Sequence, residues 1–197
     1  MKHLLPLIGL VMSLGGFCQE LMWESGVLIT KKKEVVVGSL VYYAAHEAVL
    51  LKHPDGSVDL FPSRKISSFR FYDSKADINR QFICLNKKDE LSSNNLMEIV
   101  LNGSVKILRK LKFRGSELTT AEDAEEFYYF VLMDDELVSL QQFRSKVLPA
   151  LLKKFPDEIA SLVAQKKNQT QPDAVAIQVV KEYNRLVAKP NLVASVN

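Results

Sequence analysis

Between Trp23 and Leu140 the apolar positions recur mostly with a period of two; beyond Leu140 the period lengthens to that of a helix. Trp23, Ser25, Val27 and Ile29 share one side of a first strand. Lys31-Lys32-Lys33 forms a charged turn, and the β-branched run Val35-Val36-Val37 returns from it. After Gly38 the pattern predicts a further strand over 40–51. His53-Pro54-Asp55-Gly56-Ser57 reads as a turn, because proline presets φ, aspartate bonds locally and glycine accepts a positive φ. Strands are then predicted over 58–61, 66–72 and 80–85. Segments 96–101 and 104–113 flank Asn102-Gly103, a pair suited to a two-residue type I′ hairpin. Segments 127–133 and 137–140 bracket Asp134-Asp135-Glu136 as another hairpin.

Phe143, Val147, Leu148, Leu151, Leu152 and Phe155 then fall at helical spacing. Pro156 ends that helix and opens a second, with Asp157 and Glu158 in a first turn that favours acids. Pro172 opens a third, carrying Val175, Val179, Tyr183 and Leu186 on one side, and Pro190 ends it. Consecutive strands joined by short turns pair antiparallel. The expected class is α+β: an antiparallel β-barrel or strongly bent sheet followed by a C-terminal segment of about three helices. The chain divides into 1–18, a β-rich domain over 19–115, a connector and hairpin over 116–140, and a helical segment over 141–190 that packs on the sheet.

The first stretch stands apart. Lys2 is followed by an uncharged run from Leu4 to Gly16, and Gly16 and Cys18 place small residues three and one positions before a cut. This is the build of a secretory signal peptide, leaving Gln19 as the mature N-terminus. A membrane helix needs about 20 apolar residues, so the run is short for a span. No transmembrane span is expected after cleavage. The expected location is the periplasm, the outer membrane surface or the exterior. Lipidation at Cys18 is the competing expectation, weakened by the bulky Phe17 before it.

Composition adds little to this. Apolar residues are 47% and charged residues 25%, which excludes wholesale disorder and a multi-span membrane protein. Cleavage would remove one lysine and no acid, so the formal +3 of the whole chain falls to +2. Residues 19–115 hold 16 basic and 11 acidic side chains, and 116–197 hold 9 and 12. That asymmetry permits an anion-facing first half without requiring nucleic acid. Cys84 remains as a lone thiol, read as a small buried hydrophobe.

Several short segments together resemble a group of exported proteins common in Bacteroidota that have no assigned function. They are Gly26-Val27-Leu28, Gly38-Ser39-Leu40-Val41-Tyr42, Ile66-Ser67-Ser68-Phe69-Arg70-Phe71-Tyr72-Asp73, Asn79-Arg80-Gln81-Phe82, the stretch 143–151 and Tyr183-Asn184. The resemblance implies export and a strands-then-helices order. It implies no activity.

Candidate chemistry is thin. His46, His53 and Asp55 are the weak metal candidates, with Glu47 nearby, but strand alternation turns the two histidines apart. Ser67 or Ser68 with His46 and Asp73 supplies the residue types of a hydrolase triad, without a GxSxG elbow. The acids at 122–126 and 134–136 fall in a connector and a turn, where solvent keeps them ionised. No phosphate-cradling or dinucleotide motif occurs, and no cofactor is expected. Lys106, Lys110, Lys112 and Arg114 share one side of a strand whose other side carries Val105, Ile107, Leu111 and Phe113. That cationic row is the candidate ligand site, for an anionic envelope component or an envelope protein; lysines that protect an outer strand from pairing give the same pattern. Phe127-Tyr128-Tyr129-Phe130 offers a second, aromatic patch. The expected function is a non-enzymatic exported binding or accessory protein of the cell envelope. The alternatives are a hydrolase with an unrecognised site and a structural module packing on a protein partner.

Overall fold

The computed structural model describes residues 22–86, 94–112, 127–166 and 171–189. The leader over 1–18 with Cys18, the acids at 122–126, Phe113, Arg114 and Pro190 lie outside the described residues. Ten strands are described: β1 Glu24–Thr30, β2 Val35–Tyr43, β3 Ala48–Lys52, β4 Val58–Pro62, β5 Ile66–Asp73, β6 Ile78–Asn86, β7 Asn94–Leu101, β8 Lys106–Leu111, β9 Phe127–Met133 and β10 Glu136–Ser139. Three helices follow: α1 Leu148–Lys154, α2 Pro156–Gln165 and α3 Pro172–Ala188. The strands form one antiparallel sheet in the order β10-β9-β8-β7-β6-β5-β1-β2-β3-β4. The class is α+β, and the sheet is open. The closed barrel, one of the two forms expected, is not formed: β4 and β10 remain its edges. Near the β10 end the inner face is covered by helices, so burial there needs no closing strand.

The sheet is nonetheless strongly bent. In a flat sheet β2 and β6 would lie about 14 Å apart, three strand spacings. Instead the Tyr42 ring on β2 sits 4.9 Å from the Phe82 ring on β6. Glu47, just after β2, reaches Lys110 on β8, about 24 Å away in a flat sheet. Two glycines make room at the bend. Gly26 and Gly38 face each other across β1–β2. A Cβ on Gly26 would lie 2.5 Å from the Arg70 carbonyl oxygen, and one on Gly38 2.5 Å from that of Lys52. Gly38 therefore belongs inside a strand, where backbones approach closely, and does not break it. Gly26→Ala is expected to destabilise the protein by about 1–3 kcal/mol through this overpacking. Urea unfolding checks it, with a lowered midpoint and an unchanged slope.

Register shows how the core is laid out. Phe69 opposes Phe82, Phe82 opposes Glu98, Glu98 opposes Arg109 and Arg109 opposes Tyr129. Directly opposed residues share a face, and so do residues two apart on a strand. Ile107 and Val131, two along from Arg109 and Tyr129, therefore lie on this face too. One hydrophobic cluster gathers Leu28, Leu40, Val49, Leu51, Phe69 and Phe82, with Phe69 and Phe82 stacked at 4.5 Å. The other gathers Ile107 and Val131 with Leu151, Ile159, Val179 and Tyr183 from the helices. Both line the inner face, and the charged residues of β6–β8 sit between them.

Two turns differ from expectation. β7 and β8 do form a hairpin, but Leu101 pairs with Ile107, so the connection is longer than two residues. Asn102 does not take a positive φ. The type I′ turn occurs instead at Asp134-Asp135, whose φ angles are 50° and 63° and which join Met133 directly to Glu136. The expected strand over 40–51 is split by a 3-10 turn, Ala44–His46, closed by Glu47 at a φ of 45°. Among the helices, Phe143–Val147 makes a π-helical turn leading into α1. No helix among the described residues is long and apolar enough to cross a membrane.

Candidate functional site

The bend of the sheet encloses a cleft of about 310 Å³, within the range of small-molecule sites. Phe71, Phe82, Phe127, Leu40, Leu96 and Leu111 supply apolar wall, and Asp73, Arg80, Glu98, Arg109 and Tyr42 supply the polar part. Strand alternation turns these side chains inward, and the bend brings β2 over β6–β8.

Glu98 is the centre. It is only 6% exposed, and its carboxylate accepts four hydrogen bonds. Arg80 donates from Nε to Oε1 at 2.9 Å and from Nη2 to Oε2 at 2.7 Å. Arg109 donates from Nε to Oε2 at 2.7 Å and from Nη2 to Oε1 at 3.0 Å. Each oxygen thus accepts one bond from each guanidinium, a bidentate arrangement on both sides. Arg80 also donates from Nη1 to Asp73 Oδ2 at 3.2 Å. The rings of Phe82 and Phe127 lie under Arg80 and Arg109, at 5.6 Å and 4.3 Å. Two arginines and two acids bring the group to formal neutrality.

Burial alone would raise the Glu98 carboxyl, but the hydrogen bonds and charges of Arg80 and Arg109 hold it below the ordinary glutamate range. Burial would likewise lower both guanidinium values, and Glu98 keeps them raised. The Tyr42 phenol is pushed above its ordinary value, by burial first and then by Glu47 and Glu98. None of these groups is drawn toward neutral pH. Their charges are fixed across the physiological range, which suits holding a ligand better than moving a proton.

Of the polar candidates singled out from the sequence, Lys110 and Asp73 line the cleft and are engaged by neighbours, and the others described lie outside it. β8 is an interior strand, so its lysines do not guard an edge. Lys110 pairs with Glu47 and donates to Asn95 Oδ1 at 2.6 Å. The Lys112 ammonium lies 4.9 Å from the centre of the Tyr128 ring, and Tyr128 is the exposed member of the aromatic run. Lys106 is half-buried beside the fully buried Leu108. His46 is exposed against the Tyr43 ring. His53 Nε2 lies 2.9 Å from Asp59 Oδ2, while Asp55 accepts from the Ser57 hydroxyl and amide, which hold its carboxyl low. Among the described residues no group of three His, Cys, Asp or Glu could hold a metal ion. Asp73 is taken by Arg80 and the Ala76 amide, and no hydrogen bond joins it to His46. The Cys84 thiol, raised by burial, donates to the Ser63 carbonyl.

Glu98, Arg80, Arg109 and Tyr42 had no place in the sequence-based site. A signal was present: Glu98 and Arg109 occupy inward positions beside apolar ones, Leu96 on β7 and Ile107 and Leu111 on β8. A charge in the apolar phase of a strand marks a buried network. Set against models of protein families, curated proteins and solved structures, the chain finds no match in any of the three comparisons.

Proposed function

We propose that the chain is a non-enzymatic binding protein of the cell envelope, exported by cleavage of its leader, whose ligand seats in the inner-face cleft. The cleft carries this reading. Its walls are apolar and aromatic, its few polar groups converge on one spot, and Arg80, Arg109 and Glu98 there hold fixed charges. Such a wall selects and orients a small molecule. The leader composition supports export.

Two measurements on protein recovered from its native host test the proposal. N-terminal sequencing is expected to begin at Gln19, in an envelope or extracellular fraction; an intact Met1 in the cytosol would overturn the placement. Native mass spectrometry is expected to show a retained small molecule in the wild type and none in Leu111→Trp, whose indole fills the cleft. A folded wild type that never carries an adduct, or an adduct indifferent to Leu111→Trp, would overturn the site.

A further inference from the structure

We infer that the cleft takes a small amphipathic anion, an apolar body ending in a carboxylate, with the head group on Arg80, Arg109 and Tyr42. The inference rests on the cleft being a ligand site and adds the chemistry of the ligand.

The hydrogen-bonding capacity of the wall is lopsided. Each Glu98 oxygen already accepts two bonds, so the carboxylate has little acceptor capacity to offer. A guanidinium has five N–H groups. Arg80 uses three on Glu98 and Asp73, and Arg109 uses two on Glu98 and another toward the Tyr129 hydroxyl. The rest remain as donors. The Tyr42 hydroxyl lines the same cleft, has no hydrogen-bond partner among the described residues, and is not sealed from solvent. Burial keeps the phenol protonated, hence a donor. A surplus of donors with acceptors spent calls for an acceptor-rich head, and bonds to an ionised acceptor are the strong ones. The selection comes from this surplus, since the four-residue network is itself neutral. The remainder of the wall, Leu40, Leu96, Leu111 and the rings of Phe71 and Phe127, suits an unbranched or aromatic apolar body.

The probes are decanoate, decanol and decyltrimethylammonium, below their micelle concentrations, titrated calorimetrically into the mature protein. Decanoate is expected to bind about tenfold or more tighter than decanol, the difference made by charge-assisted bonds. The trimethylammonium compound, which accepts no hydrogen bond, is expected to bind weakest. Tyr42→Phe is expected to weaken decanoate about fivefold, leave decanol nearly unchanged and keep the melting temperature of the free protein, because the hydroxyl has no partner to lose. Leu111→Trp is expected to abolish binding of all three. Equal affinity for decanoate and decanol, or tighter binding of the cation, overturns the anion preference while leaving the cleft as a ligand site. Decanoate binding unchanged in Leu111→Trp overturns both.

Discussion

Glu98→Ala is expected to destabilise the protein by about 3–5 kcal/mol, the range for removing one partner from a buried ion pair. The reason is the company it leaves. Arg80 retains Asp73, but Arg109 loses both of its carboxylate bonds and is left beside the like charge of Arg80. Glu98→Gln keeps the shape and removes the charge, so it should fall between wild type and alanine. Replacing Glu98 and Arg109 together with methionine removes the stranded charge as well, and should cost less than Glu98→Ala alone. Urea unfolding of the three variants checks the order; a double variant less stable than Glu98→Ala would show that packing, not charge, dominates.

The same carboxylate sets a pH dependence. Its folded value lies below its unfolded one, so its contribution is whole above about pH 4.3 and fades as the pH falls toward the folded value. Wild-type stability should therefore drop on acidification below that point. Glu98→Gln, with nothing to protonate there, should show a flatter limb. Parallel acid limbs would assign the loss to other carboxylates.

The strands-then-helices order, the helical tail and many boundaries were legible because alternation and proline punctuation are local signals. The turn at Ala44–His46 was not. It contains no glycine, proline or asparagine, and Glu47 adopts its positive φ only because flanking strands hold it there. The site was obscure for a related reason. Lys106, Lys110 and Lys112 drew notice as a row, yet a row is visible in sequence whether or not its members are engaged. Glu98 meets Arg80 and Arg109 through pairings 18 and 11 residues apart, and Tyr42 joins them only through the bend. Gly26 and Gly38 make room at that bend, and nothing in a single strand shows that two glycines will face each other. The inner-face charges thus depend on long-range closure, where local pattern carries least information.

The contact between helix and sheet gives the second large effect. Asn184 on α3 acts toward Val105 as a neighbouring strand would. Its Oδ1 accepts from the Val105 amide at 2.9 Å, and its Nδ2 donates to the Val105 carbonyl at 2.7 Å. Val105 is 1% exposed, so these backbone groups have poor access to water. Gly103 fits against the same side chain: a Cβ there would lie 2.4 Å from Asn184 atoms. The close approach explains both the glycine and the widened connection between β7 and β8. Asn184→Ala leaves two buried backbone groups unpaired and is expected to cost about 2–4 kcal/mol.

Asn184→Asp separates the two bonds. An ionised aspartate accepts from the amide but cannot donate to the carbonyl, so it should rank between asparagine and alanine at neutral pH. Protonated, it recovers a donor. The buried carbonyl favours that protonated form and raises the folded pKa above the unfolded value of about 3.9. The recovered stability is then complete below the unfolded value and is lost as the pH rises through the folded one. Subtracting the Asn184→Ala curve cancels the Glu98 loss common to both variants, so the aspartate variant should gain on alanine as pH falls. A difference that stays flat with pH would mean that Nδ2 and the Val105 carbonyl are not paired in solution.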